Sequence, residues 1–328
     1  MKKSTWIYIF TMIAGTMITL SSKNWISMWM GLELNLMSFI PIMLNKSNKS
    51  SAEAAMIYFL MQSMGSMLLL MSVMMLMSKY SIENKMNNII ITVSLLMKLG
   101  AAPFHLWMPE VMSKINWYKG AILMTWQKMA PLMMMSNIMY NHFILNLAIL
   151  SSVVLGGLGG INQTSLRKLM GYSSINHLGW MLSINKFMNL WMAYFAIYSA
   201  LVLMICQTFH KMKMYFLNQL QGINMDSTEK INLFVMMLSM GGLPPFIGFL
   251  PKWITMQAMI NSKEMMIMFV MIMFSLITLM FYLRIMTNMY LTFNSTIKWS
   301  YIKSNKASVI TMMMMNLSLP LILIMDMI

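Results

Sequence analysis

No polar stretch in this chain of 328 residues exceeds about twenty residues, and between the polar breaks the sequence stays apolar for lengths that suit a bilayer. A spanning helix needs about 20 largely apolar residues. Every backbone N–H and C=O must bond within it, because the hydrocarbon offers no water to take them. The chain therefore reads as an all-α polytopic membrane protein of about eleven transmembrane helices, a single membrane domain over residues 1–328 with no room for a soluble one. The expected spans are about 4–20, 25–44, 52–77, 88–107, 119–140, 143–161, 168–185, 188–209, 231–258, 264–293 and 308–326. Charged residues are 9% of the chain, far below the roughly 25% of a soluble domain, and the mean hydropathy is +0.67.

Against that background, four ionisable residues stand in the middle of spans: Glu33 in WMGLELNLM, Lys98 in SLLMKLGAAPF, Lys128 in TWQKMAPLMM and Lys252 in GFLPKWITM. A charge at a helix centre costs roughly 2.5–3.5 kcal/mol even on the lenient insertion scale. Four such placements in a chain with eight acidic residues point to ion or proton movement. Burial disfavours the charged form of a lysine and a nearby carboxylate favours it, so a buried lysine beside an acid can be switched between loaded and empty. Glu33 is the candidate partner for Lys98. The bland alternative is a structural Glu33–Lys98 pair, with Lys128 and Lys252 snorkelling or binding carbonyls.

Two spans are interrupted. The fourth, MKLGAAPFHLWMPEV, holds Gly100, Pro103 and Pro109; the ninth, GGLPPFIGFLPKW, holds Gly241, Gly242, Pro244, Pro245, Gly248 and Pro251. Proline removes a helix hydrogen bond and clashes with the preceding turn. Irregular backbone at membrane depth survives only against protein or a wet cavity. Interrupted segments five spans apart, in groups of opposite orientation, predict two inverted five-helix repeats with a transport site in each. The repeats run about 4–140 and 143–293, with a C-terminal helix at about 308–326 as an appendage.

Several other residues carry weaker signals. His177, in YSSINHLGW beside Ser173, Ser174 and Asn176, is a possible proton relay; His105 reads as a packing residue, Glu110 as an interfacial charge and Arg284 as a snorkelling one. Gly156-Gly157-Leu158-Gly159-Gly160 lies inside an apolar span with no strand before it, which favours close helix packing over phosphate binding. Trp25, Trp117, Tyr118, Trp299 and Tyr301 stand near span ends and suit interfacial belts. HKMKMYFLNQLQ, at the start of the long connector 210–230, suits a helix lying in the interface.

Charge counting sets an orientation. With the N-terminus on side one, that side carries fourteen Lys or Arg, the other side five, and four lie within spans. The positive-inside rule then puts the N-terminus inside. The net charge of +15 is accounted for mostly by this bias, and no basic patch interleaved with aromatics argues for nucleic acid. The single Cys206 excludes an internal disulfide, a four-cysteine cluster and a CxxC pair. Four His residues lack paired haem-ligand spacing, and neither a dinucleotide fingerprint nor a flavin motif is present, so the sequence offers no cofactor-binding or metal site. Met1-Lys2-Lys3 runs straight into apolar sequence with no cleavable signal, as expected of a chain made inside its own compartment.

The segments MKLGAAPFHLWMPEV, TWQKMAPLMMM, LRKLMGYSSINHLGW and GGLPPFIGFLPKW together resemble the signature segments of the subunit 2 family of animal mitochondrial NADH–ubiquinone oxidoreductase (respiratory complex I), one of the antiporter-like membrane subunits. The 52 Met, 21 Lys and two Arg resemble an arthropod mitochondrial gene, in which a codon normally read as isoleucine is read as methionine. By motif, Glu33 and Lys98 match the family's Glu–Lys pair, Lys128 the next lysine, and Lys252 the lysine of the second broken helix. The resemblance implies a subunit that couples NADH-to-quinone electron transfer to proton translocation across the inner mitochondrial membrane. Its N-terminus would lie in the matrix and its C-terminus in the intermembrane space. NADH, FMN, iron–sulfur clusters and ubiquinone would be handled elsewhere in the complex. Other complex I membrane subunits, antiporter-like neighbours among them, and phospholipid including cardiolipin are the expected partners. The alternatives are a cation/proton antiporter subunit and a structural membrane subunit without its own proton path.

Overall fold

The computed structural model describes residues 3–44, 48–77, 84–138, 142–222, 227–290 and 306–320. Trp299 and Tyr301, expected at an interface, lie outside them. The described residues are helical, with no strand and one isolated bridge between Ser165 and Phe216. In chain order the helices are α1 (Lys3–Ser21), α2 (Trp25–Met43), α3 (Lys49–Met77), α4 (Asn84–Leu99), α5 (Trp107–Lys114), α6 (Trp117–Met124), α7 (Trp126–Ser136), α8 (His142–Ile161), α9 (Leu166–Ser183), α10 (Met188–Lys211), α11 (Gln219–Gly222), α12 (Ser227–Gly241), α13 (Phe249–Asn261), α14 (Met265–Tyr290) and α15 (Lys306–Asn316). Five regions, within α2, α3, α8, α10 and α14, are long and apolar enough to cross a membrane. The other expected spans are shorter or split, so the figure of eleven is an expectation that helix length alone does not establish.

The fourth and ninth expected spans are the pairs α4/α5 and α12/α13, and their breaks share one backbone. Gly100 and Gly242 have φ of 68° and 76°, and Ala102–Pro103 and Pro244–Pro245 are cis. Gly100 N–H bonds the Met97 carbonyl and Ala101 N–H that of Leu96; Gly242 N–H bonds the Ser239 carbonyl and Leu243 N–H that of Leu238. This double bond closes a helix whose next residue is left-handed, a conformation open to glycine. Pro109 and Pro251 then fall in the first turns of α5 and α13, where a missing N–H does no harm.

The fifth expected span is also split, at Thr125, which the sequence reading passed over. Thr125 (φ −110°, ψ −80°) separates α6 from α7, and its hydroxyl bonds the Ala121 carbonyl at 2.7 Å. Such back-bonding competes with the helix ladder, and Pro131 withholds a donor from the carbonyl of Gln127. Lys128 therefore opens the second half of a kinked helix.

Central to the fold is α9, buried over nearly its whole length. The glycine run of α8 serves packing: Cβ atoms added at Gly156 and Gly159 would stand 2.7 Å from Asn176 N and 2.4 Å from Tyr172, on α9. Two further readings change. Trp117 is fully buried, its Nε1 donating to the Met214 carbonyl at 2.8 Å, and so belongs to the core and not to an interfacial belt. The connector after α10 is no surface-lying helix. It turns back onto the start of α9 through bonds from Leu166 N–H to Tyr215 O and Leu217 N–H to Thr164 O, and among its described residues the four-residue α11 follows. Arg284 bonds the carbonyls of Ile161 and Gln163 at the end of α8, a cation placed at a helix C-terminus.

Candidate functional site

The four mid-span charges fall into two groups. In the first, α2 presents Glu33 and α4 presents Lys98. Lys98 is buried and sits in the last turn of α4, two residues before Gly100. α3 lies over it: Gln62 Nε2 donates to the Lys98 carbonyl at 3.0 Å, and a Cβ on Gly65 would meet Lys98 Cγ at 3.0 Å. Glu33 is half-buried, with one carboxylate oxygen enclosed and without a hydrogen-bond partner. It is near enough to Lys98 and Tyr58 to act on them electrostatically, yet it forms no direct ion pair with Lys98. An ion pair does join Lys114 and Glu53 at 3.0 Å, on more exposed ground.

The second group is built on α9. Lys128 Nζ donates to the Ser174 carbonyl at 3.1 Å and stands 5.5 Å from the Tyr198 ring centroid. Lys252 Nζ donates to the Gly241 carbonyl at 2.7 Å and stands 5.6 Å from the Trp180 ring, both within cation–π range. Between them His177 shares a 2.8 Å hydrogen bond with the Tyr194 hydroxyl, faces the Met240 carbonyl and feels the charge of both lysines. Ser174, His177 and Trp180 follow one another at three-residue spacing, so they form one stripe on α9 about 9 Å long. Lys128, His177 and Lys252 are all buried.

A neutral link joins the groups. Tyr58 donates its hydroxyl to Gln127 Oε1 at 3.2 Å, and Gln127 Nε2 donates to Asn35 Oδ1 at 3.0 Å. Asn35 lies two residues from Glu33 and Gln127 is next to Lys128, so the amide pair spans the space between the carboxylate helix and the kinked one. Sequence reading missed Asn35, Tyr58, Gln62, Gln127, Tyr194 and Tyr198. Their only signal was a polar group at mid-span, which many Ser, Thr and Asn residues here share. The remaining predicted residues stand apart: Glu110 is exposed, and His105 Nδ1 lies 3.3 Å from the Pro103 carbonyl inside its own loop. Among the described residues no three His, Cys, Asp or Glu side chains gather to hold a metal. The chemistry on offer is proton exchange among amines, an imidazole, phenols and one carboxylate.

The transmembrane model of the NADH:quinone oxidoreductase/Mrp antiporter family matches residues 22–280. The chain belongs to this family. Among its relatives is NADH-ubiquinone oxidoreductase chain 2 of Anopheles gambiae, 48% identical over 295 residues that cover 87% of this chain and 86% of that one. The same-named chain of Locusta migratoria is 42% identical over 306 residues, 92% of this chain and 90% of that one. The fold matches a chain of respiratory complex I from Thermus thermophilus with a TM-score of 0.86 at 20% identity, covering 98% of this chain and 78% of that one. It also matches a chain of the Mrp complex from Dietzia sp. with a TM-score of 0.72 at 15% identity, covering 86% of this chain and 60% of that one. The two structures bear on fold alone; the curated relatives carry the family assignment further.

Proposed function

We propose that this chain is a core membrane subunit of a proton-pumping NADH:ubiquinone oxidoreductase, and that its buried charges carry the coupling. Redox energy released elsewhere in the complex alters protonation at Glu33 and Lys98. The change passes by way of Asn35 and Gln127 to Lys128, then past His177 to Lys252. The observation that carries this reading is the α9 stripe, which holds His177 between two buried lysines. A purely packing role needs no such alignment of costly groups. NADH, FMN, iron–sulfur clusters and ubiquinone are handled by other subunits in this reading, and none is bound by this chain.

The shared backbone of the two breaks supports two inverted repeats of about 4–140 and 143–293. The charge bias supports an N-terminus in the matrix and a C-terminus in the intermembrane space of the inner mitochondrial membrane. Antiporter-like subunits and cardiolipin are the partners in this reading, the Lys-rich face suiting anionic headgroups.

The test is proton translocation per NADH oxidised in membranes carrying Lys98→Met or Lys252→Met, with assembly and electron transfer checked alongside. A lower proton yield with both intact places the lysine in the coupling path. Glu110→Gln serves as the control and is expected to leave the yield unchanged. A second reading has its own observation: Lys128 and Lys252 end on backbone carbonyls and not on acids, as a structural subunit would have them. Full yield in both lysine variants would establish that reading instead.

A further inference from the structure

The C-terminal helix, expected from sequence to be an appendage, reaches the second break and bonds both of its sides. Asn316, the last residue of α15, is fully buried. Its Oδ1 lies 2.9 Å from Ser239 Oγ, before the break, and its backbone carbonyl accepts the N–H of Ile247, after the break, at 3.1 Å. Its Nδ2 donates to the Met312 carbonyl at 2.9 Å, one turn back in α15, which fixes the amide. Ser239 shares its hydroxyl proton between Asn316 and the Met236 carbonyl at 2.7 Å. Ser239 also supplies the carbonyl that receives Gly242 N–H, so it belongs to the closing turn of α12. Gly248, where the chain re-enters a helix, approaches so closely that an added Cβ would stand 1.6 Å from the Ser239 carbonyl oxygen.

Among the described residues no such bridge spans the first break. Matching Gly100 to Gly242 and Pro103 to Pro245 pairs Ser239 with Met97, whose side chain has no donor, and Ile247 with His105, whose ring Nδ1 lies 3.3 Å from the Pro103 carbonyl within its own loop. The splinted break is the one whose carbonyl, Gly241 O, holds the ammonium of Lys252. Gly241 lies two residues beyond Ser239, on the segment that Asn316 ties down.

We propose that Asn316 is a positioning residue for Lys252: by joining Ser239 to Ile247 across the break it keeps the Gly241 carbonyl aimed at the Lys252 ammonium. This rests on Lys252 acting in coupling. A lost buried hydrogen bond shifts the ratio of held to released Lys252 by about fivefold. The proton yield should then fall part-way and not to zero.

The experiment measures protons moved per NADH oxidised, across a pH series, in assembled complex carrying Asn316→Leu, Ser239→Ala, Lys252→Met, or Asn316→Leu with Lys252→Met. Asn316→Leu and Ser239→Ala should each lower the yield and shift its pH profile in the same direction. Asn316→Leu should add nothing once Lys252 is Met. If Asn316→Leu does not assemble, Ser239→Ala, which leaves the Ile247 bond in place, carries the test. Normal yield and pH profile in Ser239→Ala and in any assembled Asn316→Leu, beside a lowered yield in Lys252→Met, would overturn the positioning role and leave the proposed function standing. An Asn316 effect of full size in the Lys252→Met background would also overturn it. Unchanged yield in Lys252→Met would take Lys252 out of the coupling path, and this role with it.

Discussion

At the first break the indole of Trp107 lies against Gly100, and the neutral amide of Gln62 bonds the carbonyl of Lys98. At the second, the aliphatic stem of Lys252 lies against Gly242, and its ammonium bonds the carbonyl of Gly241. The backbones match residue for residue, yet the lysines do not. Lys98 sits two residues before its left-handed glycine, on the helix that ends there; Lys252 sits ten residues after its own, on the helix that begins beyond the break. The position that corresponds to Lys252 in the first break is held by the exposed Glu110, and that of Lys98 in the second by Met240. A helix break and a buried charge are thus separable devices. The break frees carbonyls inside the protein, and a group from either arm or from another helix can take them.

The comparison can be broken most severely at the re-entry points. Gly248→Ala drives a Cβ into backbone, which cannot yield as a flexible side chain can. Loss of assembled complex on native gels is expected. Leu106→Ala, at the matching position of the first break where the side chain is 68% exposed, should assemble normally. Equal behaviour of the two would mean that the second break is no tighter than the first.

Next in size are the left-handed glycines. Alanine at Gly100 or Gly242 carries a backbone cost of roughly 1–2 kcal/mol, and both should lower the thermal stability of the complex in detergent. The variants should part in proton yield. An added Cβ at Gly242 would stand 2.7 Å from Lys252 Cδ, and one at Gly100 would stand 3.0 Å from the Trp107 ring. The yield should therefore fall further with Gly242→Ala; the opposite order would place the more sensitive site at Trp107. The smallest expected effect is that of Gln62→Leu, which removes one neutral bond to the Lys98 carbonyl. About 1 kcal/mol of stability is at stake, seen as a small drop in melting temperature. A large loss of proton yield would show that the Gln62 cap holds Lys98 as firmly as Gly241 holds Lys252.

Much of the architecture was legible because its causes are local. Gly100 and Gly242 interrupt their helices by taking a left-handed φ open to glycine, and Pro103 and Pro245 by a fixed φ and a missing donor, so the breaks could be read from a dozen residues. The kink at Thr125 was harder, since it depends on a hydroxyl that bonds one turn back and on a proline six residues ahead. Trp117 shows the other limit. Near a span end it reads as an interfacial residue, and it is buried because the Met214 carbonyl, 97 residues away, receives its N–H. The connector after α10 failed for the same reason, its partners lying at Thr164 and Leu166.

By itself the sequence determined that this chain is a helical membrane protein, that two of its helices break, and that Glu33, Lys98, Lys128 and Lys252 stand at mid-span. Those outcomes follow from the cost of placing polar groups in hydrocarbon, a cost set residue by residue along the chain. Only the tertiary structure decided which polar groups meet: Lys128 with Ser174, His177 with Tyr194, Gln127 with Asn35, and Asn316 with Ser239. Hydrogen bonds act over about 3 Å, whereas these partners stand 17 to 92 residues apart in the chain. Their meeting is fixed by how the helices pack, and hydropathy carries no record of it.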